Sequence, residues 1–401
     1  GKPFFAVFNL TVTHESGMWK EPDRRLATDP EKVALPPYLP DTRKCREALA
    51  RHYDNIALAD DAVGRLLREL EEDGLSGNTV VMLWSDHGEG LPRAKRWPYD
   101  AGIRVPLIVR WPGKIRPGTV SGQLVSLVDL APTVLALAGC TVPHHIQGGP
   151  FLGGGAAERT YVYAAKDRCD TAYDMVRAVR DRRFKYIRNY RPELPYMQWL
   201  PYTHQHPVWQ EMRRLHAEGK LDGDRLLFFR RLRPAEELYD CESDPHEIRN
   251  LAGDPACRHV LERMRKALDD WRRDTKDMGD MGENDMVRRM RPDGVQPETA
   301  APLVIPLNAP DHGRVPLGAA EATLESPADL MLHCSTQGAS IAFMLEEGDR
   351  PEAECPEGRR PRWKLYAGPL RLPPGRWLLR AKACRAGYIE SREIAVRLTV
   401  L

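Results

Sequence analysis

The chain has 401 residues, of which 42% are hydrophobic and 29% charged, a composition typical of globular proteins with two or three domains. Lys and Arg number 59 and Asp and Glu number 57, so there is no strong electrostatic preference for nucleic acid or an anionic membrane. The most apolar stretch, 124–140, contains Asp129 and Pro132. It is too short and too interrupted to span a bilayer.

Three segments at the start of the chain predict regular structure. An apolar run at 4–8 predicts a strand, and apolar residues at helical spacing from 41 to 75, ending at Gly74, predict a helix. A second apolar run, 79–83, predicts a strand buried on both faces. The alternation of strand, helix and strand favours an α/β domain.

Asp86 and His87 follow directly on the second apolar run. Because open α/β sheets bind ligands beyond the carboxyl ends of their strands, we expect both side chains at a ligand site. A carboxylate beside an imidazole there is a candidate for half of a metal site.

Along the rest of the chain, the pattern of apolar and polar residues changes twice. A third apolar run, 105–109, and a helix around 132–138 continue the pattern of a doubly wound sheet. After about residue 172 come amphipathic strand-like segments, 175–180 and 184–190, closed by a helix at 257–275.

The segment 278–310 has no period and is rich in Met, Gly, Pro and Asp, which is typical of a linker. Short β-type runs separated by turn residues then predict a small β-sandwich over 311–401.

The region around the second strand closely resembles the sulfatases of the alkaline-phosphatase-like superfamily. Their pattern is S-D-[HN]-G, then a lysine, then Y-[ED]-x-G-x-R-V-P-L-I-[VI]-x-W-P-G, matched here by Ser85–Gly88, Lys95 and Tyr99–Gly113. Further matches follow in order along roughly residues 1 to 272, at 3–15, 53–56, 184–189 and 237–251.

The resemblance implies a partial doubly wound sheet in 1–172, forming the carboxyl-terminal half of the catalytic domain, and the smaller α+β subdomain of sulfatases in 173–277. Within the β-sandwich, 363–366 and 387–391 resemble the fibronectin-like module of chitobiases. An ancillary, glycan-positioning role is expected of that domain.

The resemblance also implies the roles of individual residues. Asp86 and His87 are expected to hold the metal, and Lys95 to bind the sulfate and its bridging oxygen, with Arg93 and Arg96 in the same loop as rivals for that role. His14, after the first predicted strand, is expected to bind sulfate or protonate the leaving group.

The expected cofactors are a divalent cation and formylglycine. Ca²⁺ suits carboxylate oxygen best, while the imidazole of His87 also suits Mn²⁺ or Zn²⁺. Formylglycine arises from the first residue of a C-x-P-x-R or S-x-P-x-R motif, which we do not find in this sequence: Cys355–Arg359 has its proline one position early. The family's Asp-Asp metal pair is not Asp60-Asp61, which lies within the predicted helix. We therefore expect a sulfatase whose amino-terminal portion, with the nucleophile, lies outside these residues.

Three functions remain open at this point. The first is a sulfatase that removes sulfate from a sulfated carbohydrate, in which 166–168 and the loop 204–206 are candidates to line a sugar subsite. The second, suggested by His87, is a phosphonate or phosphodiester hydrolase of the same superfamily. The third is an inert glycan-binding relative. Eight cysteines without C-x-x-C spacing leave the compartment undecided, although the family suggests a secreted or periplasmic protein.

Overall fold

A computed structural model describes residues 3–21, 23–169, 172–291, 293–307, 315, 319–348 and 363–401. The chain forms two compact units, 1–280 and 281–401. The segment 355–359 and the predicted boundary at 310 lie outside the described residues. No helix in the described part of the chain is both long and apolar enough to cross a membrane.

The helices are α1 (Arg43–Glu72), α2 (Asp100–Ile103), α3 (Leu130–Leu137), α4 (Pro207–Ala217), α5 (Arg258–Asp274) and α6 (Glu283–Met290). The strands of the first unit are β1 (Val81–Trp84), β2 (Leu107–Arg110), β3 (Val162–Cys169), β4 (Ala172–Arg180), β5 (Phe184–Asn189) and β6 (Glu236–Asp240). Those of the second unit are β7 (Leu303–Pro306), β8 (Glu321–Leu324), β9 (Ala328–His333), β10 (Ser340–Glu347), β11 (Lys364–Leu365), β12 (Leu370–Leu372), β13 (Gly375–Cys384) and β14 (Ile394–Val400).

The mixed α/β class is confirmed, and α1 forms where the periodicity predicts it. The parallel sheet of a doubly wound domain, however, is not formed among the described residues. β1 and β2 pair with each other in antiparallel register, from Val81 opposite Arg110 to Trp84 opposite Leu107. Residues 4–8 are not a strand, and Phe5 is 74% exposed. An apolar run predicts that a segment can be a strand, but pairing depends on neighbours elsewhere in the chain.

The four strands β3 to β6 form an antiparallel sheet in chain order. One face packs on α5, where Val179 and Leu238 share one buried cluster with Met264 and Leu268. The other face joins the main core of the unit with residues of α1 and α4. Because β3 begins at Val162 and pairs with β4, this sheet extends across the subdomain boundary predicted at 172.

The second unit contains a five-stranded sheet, ordered β11-β10-β13-β14-β8, and a three-stranded sheet, ordered β12-β9-β7. Leu330 and Leu332 of the smaller sheet share one buried cluster with Leu379 and Val396 of the larger sheet. Two sheets around one core agree with the predicted β-sandwich. The predicted linker, 278–310, is not wholly irregular, because it contains α6 and β7.

Candidate active site

The loop from β1 to α2 is folded tightly by two glycines. The Gly88 amide donates to the Gly102 carbonyl at 2.9 Å. A Cβ atom on Gly88 would lie 1.9 Å from the carbonyl oxygen of Ala101, and one on Gly102 would lie 2.2 Å from that of Ala94. Side chains at these two positions would therefore force the loop apart, so both glycines hold Asp86 and Lys95 on one compact loop.

Asp86 and His87 lie together at the start of this loop. The Asp86 side chain is 83% exposed, and its Oδ2 atom lies 3.5 Å from Nε2 of His87. Nδ1 of His87 lies 2.8 Å from the Gly88 carbonyl oxygen, which fixes the proton on Nδ1 and leaves the Nε2 lone pair available. Two adjacent atoms that can bind a metal ion, Oδ2 of Asp86 and Nε2 of His87, thus have no Lys or Arg partner among the described residues.

Lys95 and Arg96 share a buried carboxylate that the sequence analysis missed. The Lys95 ammonium lies 2.9 Å from Oε1 of Glu15, and the Arg96 guanidinium donates to both Glu15 oxygens at 2.7 and 3.0 Å. Burial alone would raise the pKa of Glu15, but the hydrogen bonds from Arg96 and Lys95 lower it below its ordinary value. One negative charge therefore holds two cations, and a net positive charge remains.

Arg93, the other rival of Lys95, is directed away from this cluster. Its side chain is buried, donates to the Glu247 carbonyl and lies over the Tyr99 ring, with Cζ 3.6 Å from the ring centroid. Arg93 is therefore part of the core, whereas Arg96 lies beside Lys95. The two arginines are three positions apart in an irregular loop, so sequence spacing alone did not separate them.

His14 precedes Glu15 and belongs to the same neighbourhood. Its Nδ1 atom lies 2.9 Å from Oγ of Ser16 and accepts the Ser16 backbone N–H at 3.3 Å. Partial burial, then the positive charge of Lys95, lower the pKa of His14, and the neighbouring His87 acts in the same direction. A neutral imidazole that accepts at Nδ1 carries its proton on Nε2, the atom free to donate to a ligand.

A second carboxylate cluster resembles a metal site in composition only. Ligand atoms of Asp100, Cys241 and Glu247 lie within 4.8 Å of one another in the core. The ammonium of Lys185, however, lies 2.5 Å from Asp100 and 2.8 Å from Glu247 and already supplies the positive charge. Burial also raises the pKa of Cys241 to about 12, which disfavours the thiolate that binds metals. We interpret this cluster as an ion-pair network.

Two of the predicted sugar-subsite residues, Lys166 and His206, have different surroundings. Lys166 lines a cavity that also contains Lys95 and Arg96. His206 does not line it: the residue is fully buried and its side chain accepts the Val208 N–H at the start of α4. Burial lowers the pKa of His206 to about 4. Its assignment to a sugar subsite is therefore corrected, because the polar composition of the loop did not reveal its burial.

Comparison with known proteins identifies the family. Residues 1–140 match the family described as sulfatase, and residues 88–198 match the carboxyl-terminal family of N-sulphoglucosamine sulphohydrolase. The chain is 36% identical to an ulvan-active sulfatase of Formosa agariphila, over 98% of this chain and 68% of that protein. It belongs to the sulfatase family. Human N-sulphoglucosamine sulphohydrolase is 31% identical over 73% of this sulfatase chain and 60% of the human protein.

A solved complex of another protein with its substrate D-glucosamine-2-N,6-O-disulfate is also similar. It shares 26% sequence identity, with a TM-score of 0.43, over 58% of this sulfatase chain and 42% of that protein. Sulfatases hydrolyse sulfuric esters and use a divalent metal and formylglycine.

The residues of this sulfatase chain fit part of such a metal site. Asp86 offers an exposed carboxylate, and His87 offers an Nε2 lone pair, with the opposite ring nitrogen held by a backbone carbonyl as in many metal-binding histidines. The 3.5 Å between their donor atoms is close to the separation of about 3 to 3.5 Å expected between neighbouring ligands of one cation.

Proposed function

We propose that this chain supplies part of the active site of a sulfatase that removes sulfate from a sulfated carbohydrate. The observation that supports it most directly is the positively charged cluster of Lys95 and Arg96 on buried Glu15, next to His14 and on the same loop as Asp86. A sulfate ester carries negative charge that such a cluster can neutralise.

Lys95 and Arg96 have the charge to bind the sulfate oxygens. Their shared partner Glu15 is 2% exposed, so both cations are held in place without being fully neutralised. Positive groups held rigidly before the reaction stabilise the charge that develops on a bridging oxygen without further rearrangement. Lys95 is the proposed partner of that oxygen, and Arg96 assists it.

His14 is proposed to contact the same group through Nε2. Because its pKa is lowered, the imidazole is neutral at neutral pH and donates one hydrogen bond rather than a full charge. This favours binding a sulfate oxygen. Transfer of that proton to the leaving oxygen is the second role open to the same atom.

Asp86 and His87 are the proposed metal ligands. A hard cation favours the carboxylate, so Ca²⁺ is the first choice, with Mn²⁺ or Zn²⁺ as alternatives that the imidazole accommodates. When bound, the cation would neutralise negative oxygen and favour attack on sulfur. The formylglycine nucleophile is expected from outside these 401 residues.

The test uses the natural protein that contains this chain, assayed for sulfate release from sulfated oligosaccharides and from 4-nitrophenyl sulfate. Lys95→Ala should lower kcat/KM by roughly 100-fold or more, since one oxyanion-binding group is lost. Lys114→Ala, an exposed lysine beyond β2, is the matched control and should match the parent.

The 4-nitrophenyl monoester of phenylphosphonate belongs in the same assay because His87 also suits the related phosphonate and phosphodiester hydrolases. Turnover of the phosphonate without sulfate release would replace the proposed function with that alternative. A folded natural protein that hydrolyses neither ester would overturn both and leave the inert glycan-binding relative.

A further inference from the structure

The cavity beside Lys95 has an unusual distribution of charge. Its described lining contains four cationic side chains and no Asp or Glu: the cations are Lys95, Arg96, Lys166 and Arg213. The remaining lining residues are aromatic, apolar or uncharged polar. A concave surface with charge of one sign attracts ligands of the opposite sign.

Three of the four cations are already paired with carboxylates. Lys95 and Arg96 bind Glu15, and Lys166 lies 2.6 Å from Asp174. The Lys166 ammonium also lies over the Trp97 ring, 3.7 Å from its centroid. These contacts explain how the three side chains are held without any ligand.

Arg213, on α4, is different. Among the described residues its guanidinium has no carboxylate partner: Nε donates to the Met197 sulfur at 3.3 Å, and Nη1 lies 2.5 Å from Nδ1 of His204. Burial lowers the pKa of Arg213, and no acidic group among the described residues opposes that effect. A partly buried guanidinium without an anion is unfavourable, and an anionic ligand would relieve that cost.

The geometry around Arg213 preserves its capacity to bind an anion. Of the five N–H groups of a guanidinium, the two contacts above use two, so three remain. The Trp199 ring lies under the guanidinium, 4.8 Å from Cζ, and is 58% exposed. The guanidinium plane is thus held by a thioether, an imidazole and an indole, and a flat, forked donor of this kind matches the two oxygens of a carboxylate or sulfate.

We propose that Arg213 binds a second oxyanion of the glycan, separate from the sulfate bound at Lys95. This inference rests on the proposed function and narrows the substrate class to carbohydrates with at least two anionic groups. The second group is a carboxylate or another sulfate, since both present the paired oxygens that a guanidinium recognises. The exposed Trp199 ring beside it offers a surface for the sugar that bears this group.

The experiment measures binding to this chain by calorimetry, with three disaccharides as probes. One carries a single sulfate, one carries a sulfate and a carboxylate, and one carries two sulfates. The variants are Arg213→Gln and the matched control Arg214→Gln, whose guanidinium is on the same helix but bonds Glu211 and Glu218. Far-ultraviolet circular dichroism verifies that each variant is folded.

Arg213→Gln should raise Kd for at least one of the two doubly charged probes by about tenfold, or about 1.4 kcal/mol. The probe that responds identifies the second anion as carboxylate or sulfate. Binding of the singly sulfated probe should be unchanged in Arg213→Gln, and Arg214→Gln should match the parent for all three probes.

An equal loss for all three probes in Arg213→Gln, no loss for any, or no binding of the doubly charged probes by the parent would overturn the assignment. The titration requires no turnover, so this failure is distinct from that of the proposed function. The latter fails only if the natural protein releases no sulfate.

Discussion

Asp86 and Asp100 begin and end the same loop, yet their surroundings are opposite. The Asp86 side chain is 83% exposed, and its ion-pair partner within the described part of the chain is His87. The Asp100 side chain is 8% exposed and is bonded to both Arg180 and Lys185. Burial alone would raise the pKa of Asp100, but those two cations lower it to about 2.

The difference separates a structural carboxylate from one that is available to a ligand. Asp100 already has its positive charge within the protein, so it anchors the loop to the sheet through Lys185 of β5. Asp86, at the other end, has no Lys or Arg partner among the described residues and lies beside the His87 imidazole. A carboxylate left without a cation at the end of an otherwise anchored loop is the better candidate for a metal ligand.

The anchored end should be the more sensitive to mutation. Lys185→Met leaves Asp100 and Glu247 as buried carboxylates without that ammonium, and Glu247 already has a pKa raised chiefly by burial. The free energy of unfolding, measured by urea denaturation, should fall by about 3 to 5 kcal/mol. Lys220→Met, which breaks an exposed pair with Glu218, should change the free energy of unfolding far less, because water screens that pair. Equal losses in the two variants would contradict the view that the buried ion pair of Asp100 anchors the loop.

Glu15 should be intermediate, since it is buried while its partners are partly exposed. Glu15→Gln removes the negative charge between Lys95 and Arg96, whose side chains are 16% and 19% exposed. We expect a loss of about 2 to 3 kcal/mol in the same urea experiment. Glu21→Gln, at an exposed pair with Arg24, is the control and should change stability by less than about 1 kcal/mol. A loss in Glu15→Gln no greater than in the control would show that the cluster is not held by this charge.

The histidines extend the comparison to pH. His206 is fully buried and its pKa is lowered to about 4, so the unfolded chain, with an ordinary value near 6.5, binds a proton before the native protein does. The contribution of neutral His206 to the free energy of unfolding is therefore fully present above about pH 6.5 and is lost as the pH drops toward 4. The loss is on the order of 2 kcal/mol between pH 7 and pH 5.

The variant His206→Asn keeps a side-chain acceptor for the Val208 N–H but does not titrate. Its free energy of unfolding should lose less between pH 7 and pH 5 than that of the parent. His52, also buried with a lowered pKa, adds the same kind of pH dependence to the stability of both parent and variant. Identical pH dependence in parent and variant would show that the pKa of His206 does not differ between the native and unfolded states.

Features that depend on local sequence could be predicted, whereas contacts between distant segments could not. Asp86, His87 and Lys95 could be proposed because their motif is continuous along the chain, and α1 could be predicted because its apolar period is regular. Glu15 was missed as a partner of Lys95 because that contact joins distant segments.

Other properties depend on packing that no local pattern contains. The burial of His206 results from the position of α4, although its own tripeptide is polar. The apolar run 4–8 was predicted as a strand from composition, but its pairing depends on neighbours, and it has none among the described residues. Local patterns therefore suggested the candidate site, while the ion pairs around it could be described only from the structure.

The metal-binding role proposed for Asp86 and His87 can be tested in the natural protein that contains this chain. Asp86→Asn keeps the shape of the side chain but removes its charge, so Ca²⁺ affinity measured by calorimetry should fall by about tenfold or more. His87→Ala removes the ligand that favours Mn²⁺ or Zn²⁺, so the ratio of Mn²⁺ to Ca²⁺ affinity should fall while Ca²⁺ affinity changes less. Asp60→Asn, an exposed carboxylate on α1, is the matched control and should bind both ions like the parent. If Asp86→Asn and His87→Ala also bind both ions like the parent, Asp86 and His87 are not the metal ligands, and their exposure reflects an ordinary surface turn.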